Sequence, residues 1–269
     1  MQDVRRATNA DVAVISAPKS GRTWLRVMLS KIWQDRLDIP SSLLIDNDNY
    51  RRLNQAAPAI FFTHGFGRSN SIVVDPAATV ATLRKIRRQV FMFRDPRDVA
   101  VSAYFHITRR RGLAEDAMET AFWGRDRGLP AQVAFLNTMV EVSAELPYLL
   151  PLRYEAVIAD PGGELRRVVD HFEMSASDDE IASAVSHGSF ANMAKLESES
   201  AFDGHFLGVR DPTDRDSFKV RRGKVGGYLD YFPTEVLVEI DQYVADNLHP
   251  SYGYGQRGAL QDSAPAAPA

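Results

Sequence analysis

The chain has 269 residues, no cysteine and a formal net charge of −3. The missing thiols exclude disulfides, thiolate nucleophiles and cysteine-based metal sites, and the near-neutral balance argues against a general nucleic-acid or membrane-surface binder, so any basic site must be local. With 45% hydrophobic residues the chain can bury a sizeable core, and a single domain over 1–255 is expected, followed by a disordered Ala/Pro tail over 256–269.

Residues 1–11 are polar and mixed in charge, and no run is long enough to span a bilayer, so a soluble, cytoplasmic protein is the expectation. Val12-Ala13-Val14-Ile15-Ser16 is an apolar run of strand length. Ala17 to Gly21 is a Pro/Gly/Ser loop, and Arg22 to about Asp35 carries Leu25, Met28, Leu29 and Ile32 at helical spacing. A helix leaving such a loop directs unpaired N–H groups and its positive dipole end at the loop's contents, which suits a phosphate or sulfate group. Lys19 adds a full charge there and Thr23 a hydroxyl. The triphosphate pattern G-x-x-x-x-G-K-[ST] is not met, because Lys19 precedes Gly21; an ordinary turn with a solvated lysine fits the segment taken alone.

After a polar stretch over 38–57, Ala59-Ile60-Phe61-Phe62-Thr63 is a second buried strand, ended by His64-Gly65-Phe66-Gly67. A histidine at the carboxyl end of a strand lies where α/β sheets bind ligands, although a lone one is more often structural. Ala77 to Arg88 reads as a basic helix with a solvated face, and Gln89 to Phe93 as a third strand. Arg94-Asp95-Pro96 then opens a helix with Asp95 as its cap, so Arg94 leaves the strand end and Ser102 sits about two turns in. Arg94 could equally just pair with Asp98.

Residues 109–130, rich in charge and glycine, read as a mobile cover. A helix over Val133–Leu146, a strand over Leu149–Glu155, and helices over Gly163–Phe172 and Asp178–His187 lead to Ser189-Phe190-Ala191-Asn192-Met193. Glu197 to Phe218 is the least regular stretch. Val220 to Tyr228, basic and Gly-rich, suits an anion cradle or a surface loop, and Pro233 to Leu248 is a terminal helix capped by Thr234. Alternating strands and helices with anion loops at strand ends predict an α/β three-layer domain around a central parallel sheet.

Over roughly Val12 to Tyr231 these motifs resemble those of sulfotransferases that use 3′-phosphoadenosine 5′-phosphosulfate (PAPS) as sulfuryl donor. Pro18-Lys19-Ser20-Gly21-Arg22-Thr23-Trp24 is similar to the family's 5′-phosphosulfate loop, PKSGTTW, and departs from it at Arg22. The resemblance implies that Lys19, Ser20, Gly21, Arg22 and Thr23 hold that group, with a backbone N–H serving at Arg22, and that Trp24 stacks on the adenine. Thr63-His64 falls where the family has a Pro-Lys-Thr-His segment with the catalytic base, and Phe62 stands in the lysine's place. Arg94 and Ser102 match the two phosphate-binding positions of the 3′-phosphate motif. Tyr154 matches a tyrosine beside the adenine and Phe190 a phenylalanine opposite Trp24. Arg221-Arg222-Gly223 resembles the segment that closes over the 3′-phosphate, with Gly227 and Tyr228 where that segment continues as Asp-Trp.

Membership would imply the sulfotransferase fold akin to P-loop kinases. It would also imply transfer of a sulfuryl group from PAPS to a hydroxyl or amine of a small-molecule acceptor, without a metal. His64 would be the general base, with His205 and His106 next in line, and Lys19 would bear the charge of the leaving phosphate. Phe122, Trp123, Phe202 and Phe206 lean the acceptor towards an aromatic or hydrophobic molecule. Two other functions remain open at this point: a nucleotide or small-molecule kinase on a similar fold, and a non-catalytic nucleotide-binding module.

Overall fold

The computed structural model of the protein describes residues 6–66, 72, 74–113, 117–203, 207–208 and 211–255. The expected tail over 256–269 lies outside them, as do His205 and Phe206. In chain order the elements are β1 (Val12–Ser16), α1 (Arg22–Leu37), α2 (Asn49–Leu53), β2 (Ile60–Thr63), α3 (Pro76–Leu83), β3 (Arg88–Phe93) and α4 (Pro96–Phe105). A π-helical turn over His106–Arg110 follows, then α5 (Met118–Phe122), α6 (Leu129–Ala144), β4 (Leu149–Arg153), α7 (Tyr154–Ala159) and α8 (Pro161–His171). The remaining long elements are α9 (Asp178–His187), α10 (Phe190–Ser198) and α11 (Thr234–Asn247).

The four strands form one parallel sheet in the order β2-β1-β3-β4. Strand alternation sends side chains to both faces, and both are covered. Ala13, Ile15, Phe91 and Phe93 pack towards α4, α6 and α11, while Val12, Val14, Val90 and Met92 pack towards α1, α8 and α9. This is the three-layer architecture expected from the sequence. No helix among the described residues is long and apolar enough to cross a membrane.

The strand order positions the site. From β1 the chain passes to β2 on one side and returns to β3 on the other, so the loops leaving β1 and β3 diverge at a switch point of the kind where open α/β sheets bind ligands. Ile15 pairs with Thr63 and Ser16 with Met92, which brings the carboxyl ends of β1, β2 and β3 together. Lys19, His64 and Arg94 each follow one of these ends.

Several boundaries differ from expectation. β4 stops at Arg153 because its partner β3 ends at Phe93, which pairs with Arg153; Tyr154 and Glu155 therefore open α7 instead of extending the strand. α3 stops at Leu83, since Arg88 is already paired with Val12 in the sheet. Thr234 is the first residue of α11 and makes no side-chain cap. The supposed cover holds α5, whose Phe122 is 1% exposed and packs 4.7 Å from the Phe232 ring, so that part is anchored in the core.

The expected cap at α4 is present: Asp95 accepts from the Arg97 N–H at 2.9 Å. The same carboxylate, fully buried, is gripped by the Arg97 guanidinium, which also reaches Asp241 on α11 at 2.7 Å and the Tyr254 carbonyl at 3.2 Å. The Asp95 N–H donates to Glu155 at 3.0 Å. One buried network thus ties α4, α7, α11 and the chain beyond it. Arg97→Met would leave the Asp95 carboxylate buried without its cation, and we expect a loss of about 3–5 kcal/mol of stability, read from the denaturant midpoint.

Candidate active site

A cavity of about 490 Å³ opens at the carboxyl ends of the strands, a size that suits a nucleotide-sized ligand. Lys19, Gly21, Arg22, Thr23 and Trp24 line it from the β1–α1 loop, His64 from the end of β2, and Arg94 and Ser102 from β3–α4. Tyr154, Phe190, Arg221, Arg222 and Gly223 complete its wall. The structure therefore brings nearly all the sequence-predicted site residues to one place; Ser20 stands behind the loop, buried, with its Oγ unpartnered.

The loop owes its shape to two left-handed residues, Lys19 (φ 73°) and Gly21 (φ 93°). A Cβ on Gly21 would meet Tyr154 Cδ2 at 2.6 Å and Met92 Cε at 2.8 Å, so only glycine fits. No side chain caps α1, which leaves its leading N–H groups available to an anion. The Lys19 ammonium is brought down to about 7 by burial, with Arg110, Arg94 and Arg221 pushing the same way and Glu197 opposing.

Arg94 does pair with Asp98, at 3.0 Å, and still faces the cavity. Its Nη2 also donates to the Lys224 carbonyl at 3.1 Å, its guanidinium lies 4.4 Å over the Tyr154 ring, and its buried Nε has no partner. Asp98 in turn accepts the Gly226 and Tyr228 N–H groups, each at 3.0 Å, and so fastens the late basic loop to α4. Gly223 (φ 61°) lies under the Phe190 ring, and Tyr228 buries its ring 4.8 Å from the Arg97 guanidinium in the place of the family's tryptophan. Arg221 lies 4.0 Å over the Phe105 ring and bonds Tyr231; Arg222 is compensated at the surface by Asp230. Trp24 donates to the Gly188 carbonyl at 2.6 Å and meets Tyr154 edge-on at 5.9 Å, which fixes its ring in the cavity wall.

His64 is held at both nitrogens. Its Nδ1 lies 2.7 Å from the Ser16 carbonyl, which only accepts, so Nδ1 carries the proton and Nε2 accepts from Arg22 Nη2 at 2.7 Å. The ring opens onto the cavity, yet the surrounding walls, and then the Arg22, Lys219 and Arg26 charges, depress it to about 3 against the bond it donates to Ser16. The other Arg22 nitrogen, Nη1, is buried without a partner. Phe62 carries no charge, as expected, and receives the Arg26 guanidinium on its ring at 4.0 Å.

Sequence reasoning missed a basic residue on His64's side of the cavity. Lys219 lines the cavity near His64 and is lowered well below its ordinary range by burial and by Lys19 and Arg110. Buried Glu197 fastens this side: it accepts from Arg110 at 2.7 Å and from the Lys219 and Val220 N–H groups at 2.7 Å. The basic run was read from Val220 onward, one residue too late to include Lys219. Of the four aromatic residues thought to face an acceptor, Phe122 and Phe202 are core residues, Trp123 packs on Phe122 and Tyr243, and Phe206 is outside the described residues.

A cavity that gathers a left-handed lysine loop at a helix start, a strand-end arginine, the arginines of a late loop and a histidine suits a protein that handles anionic groups. Residues 9–251 match the family model of the sulfotransferase domain, and the chain belongs to that family, the PAPS-dependent sulfotransferases. It is 24% identical to cytosolic sulfotransferase 17 of Arabidopsis thaliana, over 88% of this chain and 73% of that one. It is 25% identical to flavonol 4′-sulfotransferase of Flaveria chlorifolia, over 90% and 80%. Among solved structures it resembles mouse sulfotransferase SULT7A1 complexed with PAP (TM-score 0.64, 19% identity, 89% and 84% covered). A second is retinol dehydratase with retinol and PAP (TM-score 0.59, 21% identity, 89% and 81% covered).

The Arg22–His64 contact yields a direct check. Arg22→Thr, which restores the residue usual in the family, removes both the hydrogen bond to Nε2 and the nearest cation, so the His64 pKa should rise from about 3 towards its ordinary value. Ring titration followed by NMR reads this; an unmoved His64 would mean that burial alone depresses it.

Proposed function

We propose that the protein moves the sulfuryl group of PAPS to a hydroxyl, or less often an amine, of a small-molecule acceptor, with His64 as general base and Lys19 stabilising the departing phosphate. The observation that carries this is the convergence of the Lys19 loop, the Arg94 turn and His64 on one cavity. Its unpartnered buried atoms, Arg22 Nη1 and Arg94 Nε, are donors of the kind that an anionic nucleotide would satisfy. When bound, PAPS supplies the sulfuryl group and the 5′-phosphate that keeps the electrons of the broken S–O bond.

Lys19 and the leading N–H groups of α1 hold the 5′ end, Arg94, Ser102, Arg221, Arg222 and Gly223 the 3′-phosphate, and Trp24, Tyr154 and Phe190 the base. Positioning and charge stabilisation then do most of the catalytic work, as in phosphoryl transfer. His64 Nε2 can take the acceptor's proton only after Arg22 ceases to donate to it. An incoming polyanion offers Arg22 a stronger partner, and its negative charge also raises the basicity of His64. Lys219, lowered in the free protein, regains charge on His64's side of the cavity once an anion enters.

His64→Ala should lower kcat by roughly 10²–10⁴ with little change in nucleotide binding; near-normal turnover would move the base elsewhere. The donor assignment is tested by Arg94. Losing one partner of a desolvated charge pair costs about 2–5 kcal/mol, roughly 30-fold to several thousand-fold in affinity. Arg94→Ala should weaken PAPS and 3′,5′-adenosine bisphosphate (PAP) by that factor in calorimetric titrations and leave adenosine 5′-phosphosulfate, which lacks the 3′-phosphate, almost unchanged. Equal wild-type affinity for all three nucleotides would contradict the assignment.

A further inference from the structure

The side chain of Arg22 crosses the cavity from the donor loop to the histidine. Arg22 is the first residue of α1, so its backbone belongs to the turn whose leading N–H groups gather at the cavity, while its Nη2 reaches His64 Nε2 at 2.7 Å, just past the end of β2. Its other terminal nitrogen, Nη1, is buried without a hydrogen bond. Burial, and then the Arg26 charge, bring the guanidinium down to about 9, and Asp46, the acid that opposes them, is itself paired with Arg26 at 3.2 Å. The group therefore sits in the cavity wall with one neutral acceptor for a partner and half of its donor fork unused.

In-line transfer fixes where the reacting groups stand. The acceptor oxygen must lie about 2.6–3.2 Å from the nitrogen that takes its proton. The leaving phosphate lies at the cradle of Lys19 and the α1 N–H groups, and the sulfur between the two. Arg22 Nη2 holds the acceptor oxygen's place on His64 in the ligand-free protein, and the rest of the side chain runs back from there to the cradle. When a hydroxyl takes that place, the guanidinium remains tethered at the start of α1, beside the gap in which the sulfur must pass.

We infer that Arg22 is a catalytic residue of this chain: its guanidinium leaves His64 Nε2 to the acceptor's hydroxyl and donates to the outer oxygens of the sulfuryl group, whose charge it carries during transfer. The inference rests on the sulfuryl-transfer reading and gives the transferring group a partner. The hydroxyl proton passes to His64 Nε2, the new O–S bond forms as the S–O bond to the 5′-phosphate breaks, and the electron pair of the broken bond stays on that phosphate at Lys19. A planar fork with two parallel donors matches a group that spreads its charge over several oxygens, and in a water-poor site such contacts act most strongly where charge is in motion.

The test compares PAPS with PAP. At pH 8 the two carry equal charge at their 5′ ends, but PAPS sets half of it on the sulfuryl group. Both are titrated calorimetrically into the full chain, unmodified and as Arg22→Thr and Arg22→Gln, with folding checked by thermal midpoint. The ratio of the PAPS to the PAP dissociation constant should rise about tenfold or more in both variants. In the same proteins kcat for sulfate transfer from PAPS to a panel of phenols and primary alcohols should fall about 10²–10³-fold. Variants that weaken PAPS and PAP alike would place Arg22 in the phosphate cradle, and variants with unchanged or faster turnover would make it only a mask on His64; either result overturns the inference and leaves the activity standing. If the unmodified chain transfers sulfate to no member of the panel while the ratio still rises in the variants, the activity is contradicted and the contact between Arg22 and the sulfuryl group stands.

Discussion

The carboxylate of Asp98 is the contact on which the donor half of the site depends. It takes Arg94 from the end of β3 and the Gly226 and Tyr228 N–H groups from a loop that arrives late in the chain, and so makes one surface of two distant segments. A buried carboxylate is tolerable here because three donors share it. Glu197 performs the matching task on the other side, joining Arg110 to the backbone at Lys219 and Val220. Asp98 thus fastens Arg94 within the cavity wall, and Glu197 fastens the segment that brings Lys219 and Val220 to it.

That division has an electrostatic consequence. Lys19, Arg22, Arg94, Lys219 and Arg221 line one cavity, and the two lysines, buried among these cations, are both lowered. Lys19 at about 7 and His64 at about 3 record the strain of the ligand-free state. Arg22 finds its hydrogen-bond acceptor in the neutral imidazole. On the proposed reading, an anionic nucleotide would restore charge to Lys19 and offer Arg22 a partner other than His64.

The strands, the β1–α1 loop and the Asp95-capped α4 were legible because each is encoded by neighbouring residues: an apolar run, a Pro/Gly interruption, a cap next to a proline. What was not legible depends on partners far away in sequence. Arg22 looked like a harmless replacement because nothing local shows that His64 will lie beside it. Phe62 looked like a lost charge, and nothing local shows that a loop near the other end of the chain brings Lys219 to the same cavity. Rings in an irregular stretch looked like a substrate wall, yet Phe122 and Phe202 are claimed by the core, where their area is worth most. The strand that failed to extend to Tyr154 did so because its neighbour had ended, a fact of pairing and not of propensity.

A polyanionic donor entering beside two buried lysines of lowered basicity must change their protonation, and proton linkage measures this most directly. At pH 8 Lys19, near 7 in the free protein, is mostly neutral, whereas the phosphates of PAP are already ionised. Binding should therefore take up protons, approaching one per site from Lys19 with a further contribution from Lys219, as read by calorimetry of PAP binding in two buffers of different ionisation enthalpy. Uptake at pH 8 that fades as the pH is lowered below 7 is the expected result. Proton release, or binding with no exchange at all, would contradict the account.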